Sequence, residues 1–216
     1  MILPFSDDGD VRLAAPRVER HLTGGGLLAY PTETVYGLGS RAVATDVRAL
    51  AHLKGRREGK AFLLLVASRA MAEAQGLRFT RSAQVLSDLF WPGPLTLVLA
   101  GGEARLPDTL RGPEGGIAVR WTSHPAMARL ITILGFPVTS TSANRPGEPT
   151  APGPTAIVDQ FRRDVESGLL LVLDGGTLGN LPPSTVVDCT ARAPRIIREG
   201  AIPVEELRAA VGSLAP

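Results

Sequence analysis

The chain has 216 residues, 44% of them hydrophobic and 20% charged, which excludes a disordered or collagen-like polymer and leaves ample length for a core. A net charge of +2 excludes a bulk polycation, although a local basic surface remains open. One cysteine, Cys189, excludes an internal disulfide, and with only His21, His52 and His124 beside it a cysteine-based zinc site is excluded as well.

Taken in chain order, the N-terminus reads Met-Ile-Leu-Pro-Phe-Ser-Asp-Asp, with no basic region running into a long apolar stretch, and no uncharged apolar run approaches a membrane span. A soluble, cytoplasmic protein is expected. The first strand-like run is 26–30, followed by a helical pattern over 46–54 that spaces Val47, Leu50 and Leu53 on one face. A strand is predicted at 62–66, a helix at 82–91 and a strand at 95–99. Then come a strand at 117–121, a helix at 125–134 and a strand at 137–140. Residues 144–154 carry four prolines, Pro146, Pro149, Pro152 and Pro154, which stiffen an excursion rather than divide two domains. A helix at 155–166, strands at 169–173, 185–188 and 195–199, and a helix at 204–211 complete the pattern. Alternating strands and helices predict an α/β fold with an antiparallel portion near the end, as one domain over 1–216.

Several constellations carry chemistry. Tyr30-Pro31-Thr32-Glu33-Thr34-Val35-Tyr36-Gly37-Leu38-Gly39 suits a polar pocket at a strand end, since proline stops the strand and glycines admit close approach. A turn with Thr32 or Thr34 capping a helix explains it equally well. The chain's only two lysines, Lys54 and Lys60, flank Arg56 and Arg57. Four cations so close suit a polyphosphate or nucleic-acid backbone, with a solvated helix end as the alternative. No Walker loop is present. Phe90-Trp91-Pro92-Gly93-Pro94 reads as architecture. Arg120 ends an apolar strand, as a carboxylate clamp or as a surface residue. Thr139-Ser140-Thr141-Ser142-Ala143-Asn144 offers small neutral donors for a carboxylate, phosphate or ribose, or forms a turn. Asp174-Gly175-Gly176 is a turn signal, and Cys189 reads as a buried small apolar residue.

These blocks, in this order from about residue 25 to 207, resemble the YrdC family of L-threonylcarbamoyladenylate synthases: Tyr-Pro-Thr-Glu-Thr-Val-Tyr-Gly-Leu-Gly, Lys-Gly-Arg, Trp-Pro-Gly-Pro-Leu-Thr, Ala-Val-Arg, Ser-Ala-Asn, Asp-Gly-Gly, Ser-Thr-Val-Val-Asp and Arg-Ile-Ile-Arg. The resemblance implies an α/β twisted open mixed sheet with helices and a concave, positively lined cavity. It implies formation of L-threonylcarbamoyl-AMP and pyrophosphate from ATP, L-threonine and bicarbonate, with Mg2+ accompanying the nucleotide. The product would feed threonylcarbamoyladenosine modification of tRNA beside the anticodon, through a threonylcarbamoyl transferase complex, and contact with tRNA or double-stranded RNA is a further implied partner. Position by position, the resemblance places Thr32, Thr34, Leu65, Arg120, Ser140 and Ser184 at threonine. It places Lys54, Arg56, Lys60, Gly116, Ser142, Asn144, Thr150 and Arg198 at ATP, with Lys54 and Arg56 as the catalytic pair.

The chain departs from the family pattern at Arg57 and Ala61-Phe62, at Thr141 in place of proline, and at Pro183 where many members carry glutamate. The C-terminal domain of longer members is not expected here. A non-catalytic YrdC-like module that binds RNA or a nucleotide is the alternative, and a carbamoyl-transfer domain like that of hydrogenase-maturation proteins ranks below it.

Overall fold

The structure is a computed structural model describing residues 1–55, 61–102, 104–179 and 181–212. It begins with β1 (Ile2–Pro4) and α1 (Asp8–Thr23), followed by β2 (Leu27–Tyr30), β3 (Gly37–Gly39) and α2 (Ala44–Lys54). Next come β4 (Leu63–Leu65), α3 (Arg69–Ala74), α4 (Arg81–Phe90), β5 (Leu95–Leu99) and, past a short 3-10 turn at Asp108–Leu110, β6 (Ile117–Arg120). The chain continues through α5 (Pro125–Leu134), β7 (Val138–Ser142), α6 (Pro154–Gln160), α7 (Arg162–Glu166), β8 (Leu170–Asp174), β9 (Thr185–Asp188), β10 (Arg195–Arg198) and α8 (Val204–Val211).

Two N-terminal elements, together with β3 and α3, escape the periodicity. Helix α1 contains Pro16, which reads as a breaker, yet Asp7 caps it by accepting a 2.9 Å bond from the Asp10 amide. Its buried face of Val11, Ala14, Ala15, Val18 and Leu22 packs with Met127, Leu130 and Ile131 of α5. The Gly-Leu-Gly of β3 has no strand propensity, and its place is fixed by antiparallel pairing with β2 on one side and β7 on the other. Glycine is required at position 39: a Cβ there would sit 2.1 Å from the Thr139 carbonyl oxygen and 2.9 Å from the Tyr30 ring. The helix predicted over 155–166 is divided at Phe161, whose φ of −121° interrupts it. The strand predicted at 137–140 runs on to Ser142, while the strand ending at Arg120 excludes Trp121.

The strands form one mixed sheet in the order β1-β8-β2-β3-β7-β4-β6-β5-β9-β10. Its two faces are covered unequally. Leu27, Ala29, Leu64, Leu95, Leu97, Ile117, Val119, Leu170, Val172 and Val187 point into a core shared with α2, α4, α6 and α8. The alternate residues Leu28, Tyr30, Leu65, Val138, Leu171 and Leu173 point into a second core under α1 and α5. Strands β2 and β8 are therefore apolar on both faces, which explains their unbroken apolar runs. Each fully buried Val or Leu in these cores contributes about 1.5–3 kcal/mol relative to exposure. On β5, β6 and β9 the second face carries Thr96, Val98, Ala118, Arg120, Val186 and Asp188 instead, and these line cavities rather than pack under a helix. The sheet is roofed over one half and open over the other.

Candidate functional site

The open half of the sheet holds a cavity of about 430 Å³ lined by residues from seven segments, among them Thr32, Thr34, Thr96, Arg120, Ser140, Ser142, Ser184 and Arg198. Register explains most of this. Leu65 pairs with Arg120 and Leu97 with Val119, so Ala118 and Arg120 share the face that carries Thr96 and Val186. Strand β10 would turn Arg198 away, but its register shifts between Ile196 and Arg198, so that Arg198 stands opposite Val186. The bulge re-aims the guanidinium into the cavity.

After β2 the chain forms a hydroxyl-stabilised turn, and no helix follows. The Thr32 hydroxyl donates to the Val35 carbonyl at 2.7 Å, accepts from the Val35 amide at 3.2 Å, and lies 3.1 Å from the Thr34 hydroxyl. The capped-helix alternative for 30–39 is thus overturned in favour of the pocket. Arg120 is 4% exposed, which overturns surface placement. Its Nε donates to the Gly93 carbonyl at 3.2 Å, both terminal nitrogens reach the Thr34 hydroxyl at 3.2 Å, and Nη2 pairs with Glu33 at 2.8 Å. The turn at 91–94, read as architecture, packs Trp91 by an indole bond to the Leu95 carbonyl at 2.7 Å and also supplies the Gly93 carbonyl that Arg120 bonds.

The opposite wall is a relay of hydroxyls. Thr96 and Ser184 hydroxyls meet at 2.8 Å, and Arg198 donates to the Ser184 carbonyl at 2.7 Å and its hydroxyl at 3.4 Å. Burial and the nearby Arg120 charge both hold the Arg198 guanidinium below its ordinary pKa. Burial pushes the Glu33 carboxyl up, but the Arg120 charge and hydrogen bonds from Thr122 and Arg120 more than offset this, leaving it below the usual carboxylate range. At the rim, Lys54 ends α2 just before Gly55, which adopts a left-handed φ of 58°. Its ammonium donates to the Ser142 carbonyl at 2.7 Å and to both oxygens of Asn144.

The structure thus brings Thr32, Thr34, Arg120, Ser140, Ser142, Ser184 and Arg198 to one cavity, with Lys54 and Asn144 joined to it through Ser142. Leu65 does not line it; the side chain is 1% exposed in the core under α1 and α5. Thr150 lines a second cavity of about 440 Å³ that shares Thr34, Val35 and Pro183 with the first. Gly116 lines a third, smaller cavity of about 170 Å³ that shares Ala61 and Ala118, and a Cβ there would lie 2.6 Å from Val98. Arg56, Arg57 and Lys60 fall outside the described residues. Sequence reasoning assigned no role to Thr96 or Glu33. Alternation along β5 could have found Thr96, since Leu95 and Leu97 point to the core, whereas the pairing of Glu33 with Arg120 is long-range and has no local signal. Cys189 is fully buried and its thiol is pushed up to about 12, burial being the larger cause and Asp188 the smaller.

As to a metal, no group of three His, Cys, Asp or Glu side chains converges among the described residues, and the cavity's own polar lining is hydroxyl and guanidinium. This donor set does not fit a resident magnesium site. Among the described residues no helix is long and apolar enough to cross a membrane.

Fold and site together define an α/β protein with a polar, guanidinium-bearing cavity. The family model Sua5_yciO_yrdC, described as "Telomere recombination", matches residues 20–200, and the chain belongs to this family. A threonylcarbamoyl-AMP synthase of Pyrococcus abyssi is 32% identical over 96% of this chain and 59% of its own length. A threonylcarbamoyl-AMP synthase of Nitrosococcus oceani is 41% identical over 82% of this chain and 92% of its own length. The crystal structure of P. abyssi Sua5 complexed with L-threonine superposes with a TM-score of 0.87 at 30% identity, covering 100% of this chain and 62% of that one. The chain therefore spans about three fifths of the Pyrococcus proteins and nearly all of the Nitrosococcus one.

Proposed function

We propose that this chain is a threonylcarbamoyl-AMP synthase, joining L-threonine, bicarbonate and ATP into L-threonylcarbamoyl-AMP with release of pyrophosphate and water. One observation carries it: a single cavity gathers the buried Arg120, a second arginine, Arg198, and the neutral hydroxyls of Thr32, Thr34, Ser140, Ser142 and Ser184, in a chain whose relatives bear that enzyme's name. Arg120 takes the threonine carboxylate by its charge and its remaining Nη1 proton, with Thr32, Thr34, Ser140 and Ser184 around the amino acid. The threonine nitrogen attacks the carbon of bicarbonate, losing water and a proton, to give an N-carboxylate. An oxygen of that carboxylate then attacks the α-phosphorus, and the bond to the β-phosphate oxygen breaks to release pyrophosphate. No side-chain nucleophile is required, so the protein's contribution is to hold two anions in line and to stabilise charge on the leaving group. Lys54, Arg56, Lys60 and Arg198 are assigned to the nucleotide, with Ser142, Asn144, Thr150 and Gly116. Magnesium is assigned to the nucleotide's phosphates, not to a protein site.

The adenylate would be consumed by a threonylcarbamoyl transferase complex acting on tRNA, in the cytoplasm. The test is pyrophosphate release from ATP and bicarbonate with and without L-threonine, serine as control, and mass spectrometry of the product. Threonine-dependent release with the threonylcarbamoyl-AMP mass is expected. ATP binding without threonine-dependent release would overturn the enzyme and favour a nucleotide-binding module.

A further inference from the structure

The least explained group near the site is Glu33. It stands apart from the lining of the main cavity, yet it is an acid placed beside the arginine that is to receive a carboxylate. A competing anion would weaken capture, so the arrangement needs a reason.

The geometry supplies one. Arg120 is anchored on three sides: Nε by the Gly93 carbonyl at 3.2 Å, Nη1 and Nη2 by the Thr34 hydroxyl at 3.2 Å, and Nη2 by Glu33 at 2.8 Å. Glu33 is itself fixed, since Oε2 accepts from the Thr122 hydroxyl and Oε1 from the Ser123 amide at 3.2 Å. The Thr122 hydroxyl in turn accepts from the His124 amide at 3.2 Å, where α5 begins. The chain of bonds runs from a helix start, through the acid, to the fork, and the acid grips the arginine at a side chain that is only 5% exposed. A guanidinium so fixed, with one Nη1 proton left over from these bonds, holds its charge in place for an anion without first giving up rotamer freedom.

We propose that Glu33 is a positioning residue that locks the Arg120 guanidinium in the orientation that receives the amino-acid carboxylate. The assignment rests on Arg120 being the carboxylate site of the proposed reaction. It acts through Arg120 and makes no contact with substrate.

Calorimetry of L-threonine and of L-threoninol, which carries a hydroxymethyl group in place of the carboxylate, against wild type and Glu33→Gln separates positioning from general structure. Wild type should prefer threonine, and Glu33→Gln should narrow that preference about tenfold, while threoninol affinity stays within about twofold. A merely structural role would weaken both ligands alike, and that result overturns the proposal. A competing role for Glu33 would widen the preference, which overturns it too. If Glu33→Gln does not fold, Glu33→Asp keeps the charge and shortens the reach by one methylene, with an expected narrowing of about threefold; an unchanged preference overturns the proposal. Pyrophosphate release is run in parallel. Threonine binding without turnover defeats the catalytic reading while the ligand ratio still decides Glu33, and a wild type with no preference for the carboxylate defeats both.

Discussion

Replacing Arg120 with methionine keeps most of the stem's packing and removes the charge, leaving the Glu33 carboxylate with the Thr122 hydroxyl and Ser123 amide as its remaining donors. Breaking a buried ion pair by deleting one partner costs about 3–5 kcal/mol. Glu33 keeps 17% side-chain exposure, so water recovers part of that and a loss of about 2–3 kcal/mol is expected near neutral pH. For a domain of this size that corresponds to a Tm lower by about 4–12 °C. The pH dependence has a definite sign. In wild type the Glu33 carboxyl is held below its ordinary value, so its contribution is full above the unfolded value of about 4.3 and fades as pH falls through the folded one. Without Arg120, burial dominates and pushes the carboxyl up, so the variant is penalised as pH rises through its folded pKa and relieved in acid. The stability gap is therefore largest near pH ~7 and narrows toward pH ~4. Urea unfolding followed by circular dichroism across that range measures it, and Arg120→Met with Glu33→Gln together should recover at least half the loss by removing the stranded charge. A gap below about 0.5 kcal/mol at neutral pH, or one that does not change with acid, refutes the reasoning.

Three further outcomes are expected. Ser184→Ala breaks the link from Thr96 to Arg198 and should raise the KM for threonine at least about fivefold with a stability change under about 1 kcal/mol, read by pyrophosphate release and thermal melting; unchanged kinetics would remove Ser184 from the site. Gly39→Ala forces a Cβ against the Thr139 carbonyl oxygen and Tyr30 ring and should cost about 2 kcal/mol or more by parting β3 from β7, a loss visible in denaturant midpoint. Cys189, buried with its thiol pushed up to about 12, should resist a thiol-reactive dye in the native protein at mildly alkaline pH and react on unfolding; rapid native labelling would contradict its place in the core.

Much of the fold is local and can be read along the chain. Helices α2, α4 and α5 follow from the spacing of their apolar residues, and the unbroken apolar runs of β2 and β8 announce strands buried on both faces. The ordered blocks from Tyr30 to Arg198 point to the family and to most of the residues that line the cavity. Side-chain periodicity belongs to each segment by itself, and what it cannot carry is which strand lies beside which. Pairing alone makes a strand of Gly-Leu-Gly at β3, and packing with the Asp7 cap holds α1 together through Pro16. The tertiary structure also decides that α1 and α5 roof only half of the sheet, that a bulge turns Arg198 inward, and that Glu33 meets Arg120 from a distant loop. Those contacts join residues far apart in sequence, so they are set by register and by the covering of faces, which only the folded chain possesses.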